Sequence, residues 1–120
     1  MMIRRILCIR RLPELSPEQF QQHWRGVHGP LVRKHAKTLG TLRYRQLQPL
    51  PVADGAPRTG GEPFDGIAEI WYDPAVRDAA AATLEGQRAS KELTDDGRLF
   101  IDHSRSVYMV VDEPYGFELP

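Results

Sequence analysis

Ile3, Ile6, Leu7, Cys8 and Ile9 crowd into a short, β-branched run between Met2 and Leu12. Arginines flank the run and Pro13 closes it, so the pattern predicts a strand. From Ser16 the period changes. Phe20, Trp24, Val27 and Leu31 recur at helical spacing, the stripe of a helix that buries one face. Ser16 is placed to cap it, Pro17 takes the first helical position, where a missing N–H costs nothing, and Gln19 completes a capping box. Pro30 biases Gly29 away from the helical region and crowds the carbonyl four residues back. A kink or break is therefore expected at His28-Gly29-Pro30, with a second helical piece from Pro30 to about Leu39 and Gly40 as its stop.

Alternation resumes from Thr41 to Gln48, a second strand. Four prolines and three glycines between Pro49 and Pro63 make a long loop, of the length usually kept for a lid, a partner contact or a disordered segment. Phe64 to Tyr72 reads as the third strand. Asp73-Pro74 opens another helix, rich in alanine and expected to stop at Gly86, and Ser90 to Leu99 adds a short helical segment interrupted at Asp96-Gly97. Arg105 to Glu113 alternates as the fourth strand. The tail from Pro114 to Pro120 keeps Tyr115 and Phe117, which suggests that it docks.

The order strand, helix, strand, strand, helix, strand is the split βαβ, ferredoxin-like arrangement, an α+β fold with a four-stranded antiparallel sheet. Two helices cover one face of such a sheet. The open face, to which Tyr44, Trp71 and Tyr108 are assigned, then needs a partner. The economical partner is a second copy, giving a homodimer that packs sheet against sheet around a cavity.

Composition narrows the function classes. The 120 residues suit a single domain, 1–120. Sixteen basic and sixteen acidic side chains cancel, so there is no field to attract phosphate and no nucleic-acid partner is expected. One cysteine excludes an internal disulfide framework. Four apolar residues between Arg4-Arg5 and Arg10-Arg11 are too few for a secretory signal, and no run is long enough to span a membrane. The expected compartment is the cytoplasm, where Cys8 stays reduced.

Four motifs, in order along nearly the whole chain, carry a family resemblance. They are Trp24-Arg25 with His28-Gly29-Pro30-Leu31, Arg43-Tyr44-Arg45-Gln46, Asp65-Gly66 with Ala68-Glu69 and Trp71, and Phe100-Ile101-Asp102 with Ser104 and Ser106. Together they resemble the EthD domain family. The resemblance implies a dimeric α+β barrel that uses neither metal nor organic cofactor. It also implies chemistry of the kind linked to relatives: breakdown of an ether fuel additive, tailoring of aromatic polyketides, or lactone isomerisation. Relatives often carry a histidine where this chain has Gln48, so the resemblance implies no second cavity histidine at that position.

His28 is the first candidate. One reading makes it a general acid or base beside the helix break; the other makes it a cap or a loop hydrogen-bonder. His23, His35 and His103 read as bland, the first two as solvated on an Arg- and Lys-bearing helix, and the five-residue interval from His23 to His28 is not that of a helical zinc motif, so no metal site is expected. Alternation puts Asp65, Ile67, Glu69 and Trp71 on one face of the third strand, with Gly66 and Ala68 on the face that helices press against. Glu69 then either shuttles a proton in an apolar space or pairs with Arg43 or Arg45. Asp102, before the last strand, assists catalysis or ties a turn. Tyr44, Asp65 and Trp71 are candidate ligand contacts.

The expectation is a cofactor-independent enzyme that moves a proton on an apolar or aromatic molecule, polyketide-like or xenobiotic, in dehydration, isomerisation or cofactor-free oxygenation. The alternative is a non-catalytic ligand-binding protein serving an oxidative degradation pathway. A cavity lined by titratable groups would favour the first reading, and an aliphatic one the second.

Overall fold

Strand β1 (Ile3–Ile9) leads through a short connection into helix α1 (Pro17–His23). A π-helical turn (Trp24–His28) follows, then α2 (Gly29–Leu39), β2 (Thr41–Leu47), β3 (Gly66–Tyr72), α3 (Pro74–Ala81), α4 (Leu84–Gly97), a 3₁₀ turn (His103–Arg105) and β4 (Val107–Val111). The computed structural model describes residues 2–50 and 63–120. The loop expected from Pro49 to Pro63 therefore lies largely outside the described residues. The sheet order is β2-β3-β1-β4 and every neighbouring pair is antiparallel. This is the ferredoxin-like sheet that the element order predicts.

The start of α1 follows its sequence signature. Ser16 Oγ accepts from the Gln19 N–H at 3.1 Å, and the Ser16 N–H donates to Gln19 Oε1 at 2.8 Å. Of the kink or break expected at Pro30, the break does not occur and the irregularity is a widened turn: Gly29 keeps right-handed helical angles, φ −54° and ψ −50°. Pro30 has no N–H for the Gly26 carbonyl, and its ring would crowd that oxygen in a regular turn. Widening one turn resolves both conflicts. The Gly29 N–H donates five residues back, to the Trp24 carbonyl, and the helix continues to Leu39. Gly40 then stops it in the left-handed region at φ 70°, as expected of a glycine there.

Gly86 does not end a helix. The stop comes earlier, at Ala82, because Thr83 caps a new helix by accepting from the Gly86 N–H at 3.0 Å. Gly86 is buried inside α4 against the last turn of α3, where a Cβ would come within 2.0 Å of the Ala80 carbonyl oxygen. Asp96-Gly97 belongs to the last turn of α4 and does not interrupt it. The expected docking of the C-terminal tail is not seen among the described residues: Tyr115, Phe117 and Leu119 are all more than 70% exposed.

The helices cover one sheet face. Phe20, Trp24 and Phe100 are almost completely buried, with Ile9, Ala68 and Ile101 around them. Burial of each large apolar side chain contributes about 2 kcal/mol. The small residues of β3 set the approach distance, since a Cβ on Gly66 would sit 2.4 Å from the Trp24 ring. Register decides which face the aromatics occupy. Tyr44 lies opposite Ile70, while Tyr108 lies opposite Leu7, which in turn pairs with Ala68. Both tyrosines therefore face the helices. Only Trp71 of the three stands on the open face, and a bulge between Thr41 and Arg43 is where β2 shifts register.

Candidate active site

A cavity of about 390 Å³ lies between the helix-facing side of the sheet and α2 and α4. Leu7, Ala68 and Ile70 belong to its sheet side; Val32, Leu39 and Leu93 line it from the helices. Its polar lining includes His28, Tyr44, His103, Tyr108, Arg5 and Arg77.

His28 sits on the widened turn, and its Nδ1 lies 2.8 Å from Asp96 Oδ2. The other carboxylate oxygen, Oδ1, lies 2.9 Å from His23 Nε2. Both imidazoles pack on Phe100, at 4.8 and 5.1 Å between ring centroids. Asp96 is 8% exposed, the one charged side chain in the core among the described residues. A buried carboxylate needs hydrogen-bond donors. The two rings supply them as N–H groups, which fixes the His28 tautomer with its proton on Nδ1 and its lone pair on Nε2. That Nε2 has no partner among the described residues, and its ring lines the cavity. Burial pushes the His28 pKa below its ordinary value, with the hydrogen bond and charge of Asp96 acting in opposition. The ring is therefore neutral at pH 7, and Asp96 stands ready to stabilise the imidazolium once a proton arrives. Asp96 bonds both rings directly, and no metal-binding group of three His, Cys, Asp or Glu side chains occurs among the described residues.

The remaining polar groups are held in place. Gln46 Nε2 donates to the Trp24 carbonyl at 2.8 Å and to Tyr44 Oη at 2.9 Å. Burial raises the Tyr44 pKa, so the hydroxyl keeps its proton and can donate it to a ligand. Tyr108 Oη hydrogen-bonds His103 Nδ1 at the cavity's other wall.

The candidates from the sequence are not all brought together. His28 and Tyr44 share the helix-side cavity. Glu69 and Trp71 are on the opposite sheet face. Glu69 has no ion-pair partner among the described residues, although Arg45 is its neighbour in register. The Trp71 ring is approached by the guanidinium groups of Arg43, Arg4 and Arg45 at 5.1, 5.5 and 5.9 Å. Asp65 ties β3 to the end of β1, accepting from the Arg11 N–H at 2.9 Å and from its guanidinium at 3.0 Å. Asp102 caps the 3₁₀ turn, accepting from the Ser104 N–H at 3.1 Å. His23 is not solvated, being held by Asp96. Asp96 itself, and His103, were not expected at a site. The available signal for Asp96 was its place on the apolar stripe Ala89, Leu93, Asp96, Phe100, where an acid must find donors.

The EthD domain model matches residues 12–104. Among solved structures, an ethyl tert-butyl ether D family protein from Bacillus halodurans is 25% identical, with a TM-score of 0.59 over 94% of this chain and 99% of that one. HapK from Hahella chejuensis is 14% identical, with a TM-score of 0.60 over the whole of both chains. A dimeric ferredoxin-like protein of unknown function from Jannaschia sp. CCS1 is 16% identical, with a TM-score of 0.54 over 93% of this chain and 99% of that one. No curated protein matches the chain.

Proposed function

The chain belongs to the EthD domain family, and from that premise we propose that it is a small enzyme that moves a proton on an apolar or aromatic molecule. The observation that carries this reading is the His28–Asp96 pair: a neutral imidazole with Nδ1 bound to a buried carboxylate and its other nitrogen available to a cavity. In the proposed step Nε2 takes a proton from an acidic C–H or O–H of the bound molecule. The electron pair stays on the substrate as an enolate or phenolate, and the imidazolium is stabilised by Asp96. Tyr44 donates a hydrogen bond to the developing oxyanion. Return of the proton to another atom completes an isomerisation; return of it from the imidazolium to a departing hydroxyl, which leaves as water as the enolate electron pair forms the new double bond, completes a dehydration and restores the neutral ring. His28, Tyr44 and the chain's other groups supply this chemistry without a metal or organic cofactor.

Mixed lining supports catalysis over passive carriage. An accessory binding protein needs only the aliphatic wall, whereas this cavity also presents His28, Tyr44, His103 and Tyr108. We further propose a homodimer through the open sheet face. Ile6, Ile67, Trp71 and Met109 lie on that face with no helix over them, and structural neighbours of the same fold are described as dimeric.

Exchange of the acidic C–H of 2-tetralone into D₂O, followed by proton NMR, tests the catalytic reading. The protein is expected to accelerate exchange, and His28→Ala to reduce that acceleration by about 10² to 10⁴. Unchanged exchange in the folded variant removes His28 as the base.

A further inference from the structure

Arg5 and Arg77 both line the cavity, and no Asp or Glu side chain lines it with them. Arg77 is held by neutral partners: its Nε donates to the Leu39 carbonyl at 3.0 Å, a terminal nitrogen donates to Thr41 Oγ1 at 3.0 Å, and the group lies 4.2 Å from the Tyr72 ring centroid. Arg5 has no such arrangement. It makes no ion pair and no hydrogen bond among the described residues, although it is half-buried on β1 between Ile70 and Val110. The two guanidiniums are close enough for the charge of Arg5 to disfavour that of Arg77, in addition to the effect of burial.

Two neighbouring cations at a partly desolvated wall are a costly arrangement without a counter-charge. The chain's own charges balance overall, with sixteen of each sign, so the imbalance here is local. Register gives the cavity a direction. Arg5 pairs with Ile70 toward one end of β3, and Gly66, against which Trp24 packs, lies at the other. Trp24 begins the π-helical turn that ends in His28. Between the ends lie Leu7 and Ala68, an apolar floor.

Building on the proton-transfer reading, we propose that the ligand is an anion: an aromatic or polyketide-like body that carries a carboxylate or phenolate, bound by Arg5 with Arg77 behind it. The anionic group enters the Arg5 end, the apolar body lies on Leu7 and Ala68, and the acidic hydrogen faces His28. Arg5 is thus a specificity-determining residue. Arginine suits this role because its planar group presents paired donors to a carboxylate.

Isothermal titration of the full chain with 2-naphthoate and with 2-naphthamide tests this, because the two probes share a ring and differ in charge. Naphthoate is expected to bind about tenfold or more tighter, the range for a hydrogen bond to a charged group. Arg5→Gln should abolish the preference while leaving naphthamide affinity unchanged, and Arg5→Lys should restore part of it. Equal affinities in the unsubstituted protein, or a preference that survives Arg5→Gln, overturn the inference. The comparison of the two probes on the unsubstituted protein stands even if Arg5→Gln fails to fold. If 2-tetralone exchange depends on His28 but naphthamide binds as well as naphthoate, the anion inference fails and the proton-transfer reading survives. If neither probe binds and exchange is absent, both fail.

Discussion

A buried carboxylate shared by two imidazoles determines what His28 can do. Asp96 lies inside the apolar stripe of α4, where an uncompensated charge would be strongly destabilising, and the ring N–H groups of His23 and His28 compensate it. The same contact sets a tautomer and couples stability to pH. His28 has its pKa lowered in the folded chain from an ordinary value of 6.5. The unfolded chain therefore binds more protons between the folded value and 6.5, and stability rises with pH across that window. This contribution is fully present above the unfolded value and is lost as pH falls toward the folded one. Urea midpoints should accordingly drop between pH 7.5 and pH 5.5, and His28→Gln should flatten that dependence. A slope that the variant leaves unchanged would assign it to other groups. His28 was legible in the sequence because it stands beside Gly29-Pro30 in a specific motif. Asp96 was not, because its meaning depends on which face of α4 meets α1, a tertiary fact.

Sequence signals in the helices hold where the chemistry is local. The capping box at Ser16, the proline after Asp73 and the left-handed stop at Gly40 each involve residues within one turn. They misled where packing overrides propensity. Pro30 does not break the helix, because one wide turn accommodates its missing N–H. Gly86 is not a stop but the point of close approach between α3 and α4, and it has no room for a side chain. Gly86→Ala should consequently lower stability by about 1–3 kcal/mol, the cost of overpacking, rather than raise it as helix propensity alone would suggest. Chemical denaturation measures the sign directly. Strand parity has a similar limit. Alternation within β3 correctly separated Gly66 and Ala68 from Glu69 and Trp71, but the faces of Tyr44 and Tyr108 depend on cross-strand register, which no single strand encodes.

At the scale of the molecule, a sheet with helices on one side has two faces with different tasks. The helix side holds the cavity with its imidazole, phenol and guanidinium groups. The open side carries Ile6, Ile67 and Met109 beside Trp71, whose ring three guanidiniums approach. If two such faces pack together, a charge at the centre of one meets its own symmetry mate. Met109→Glu should therefore shift the protein in sedimentation from a dimer toward the 13.7 kDa chain without loss of secondary structure. A monomer before substitution would rule out the dimer.

The protonation of the His28 ring decides whether the cavity holds a base at neutral pH. Long-range proton–nitrogen correlation of the ring nitrogens at pH 7, with His28 assigned by its loss in His28→Gln, reads it without any substrate. The expected result is a neutral ring with the proton on Nδ1, an unprotonated Nε2, and a titration midpoint below 6.5. A proton on Nε2, or a ring already charged at pH 7, would contradict it.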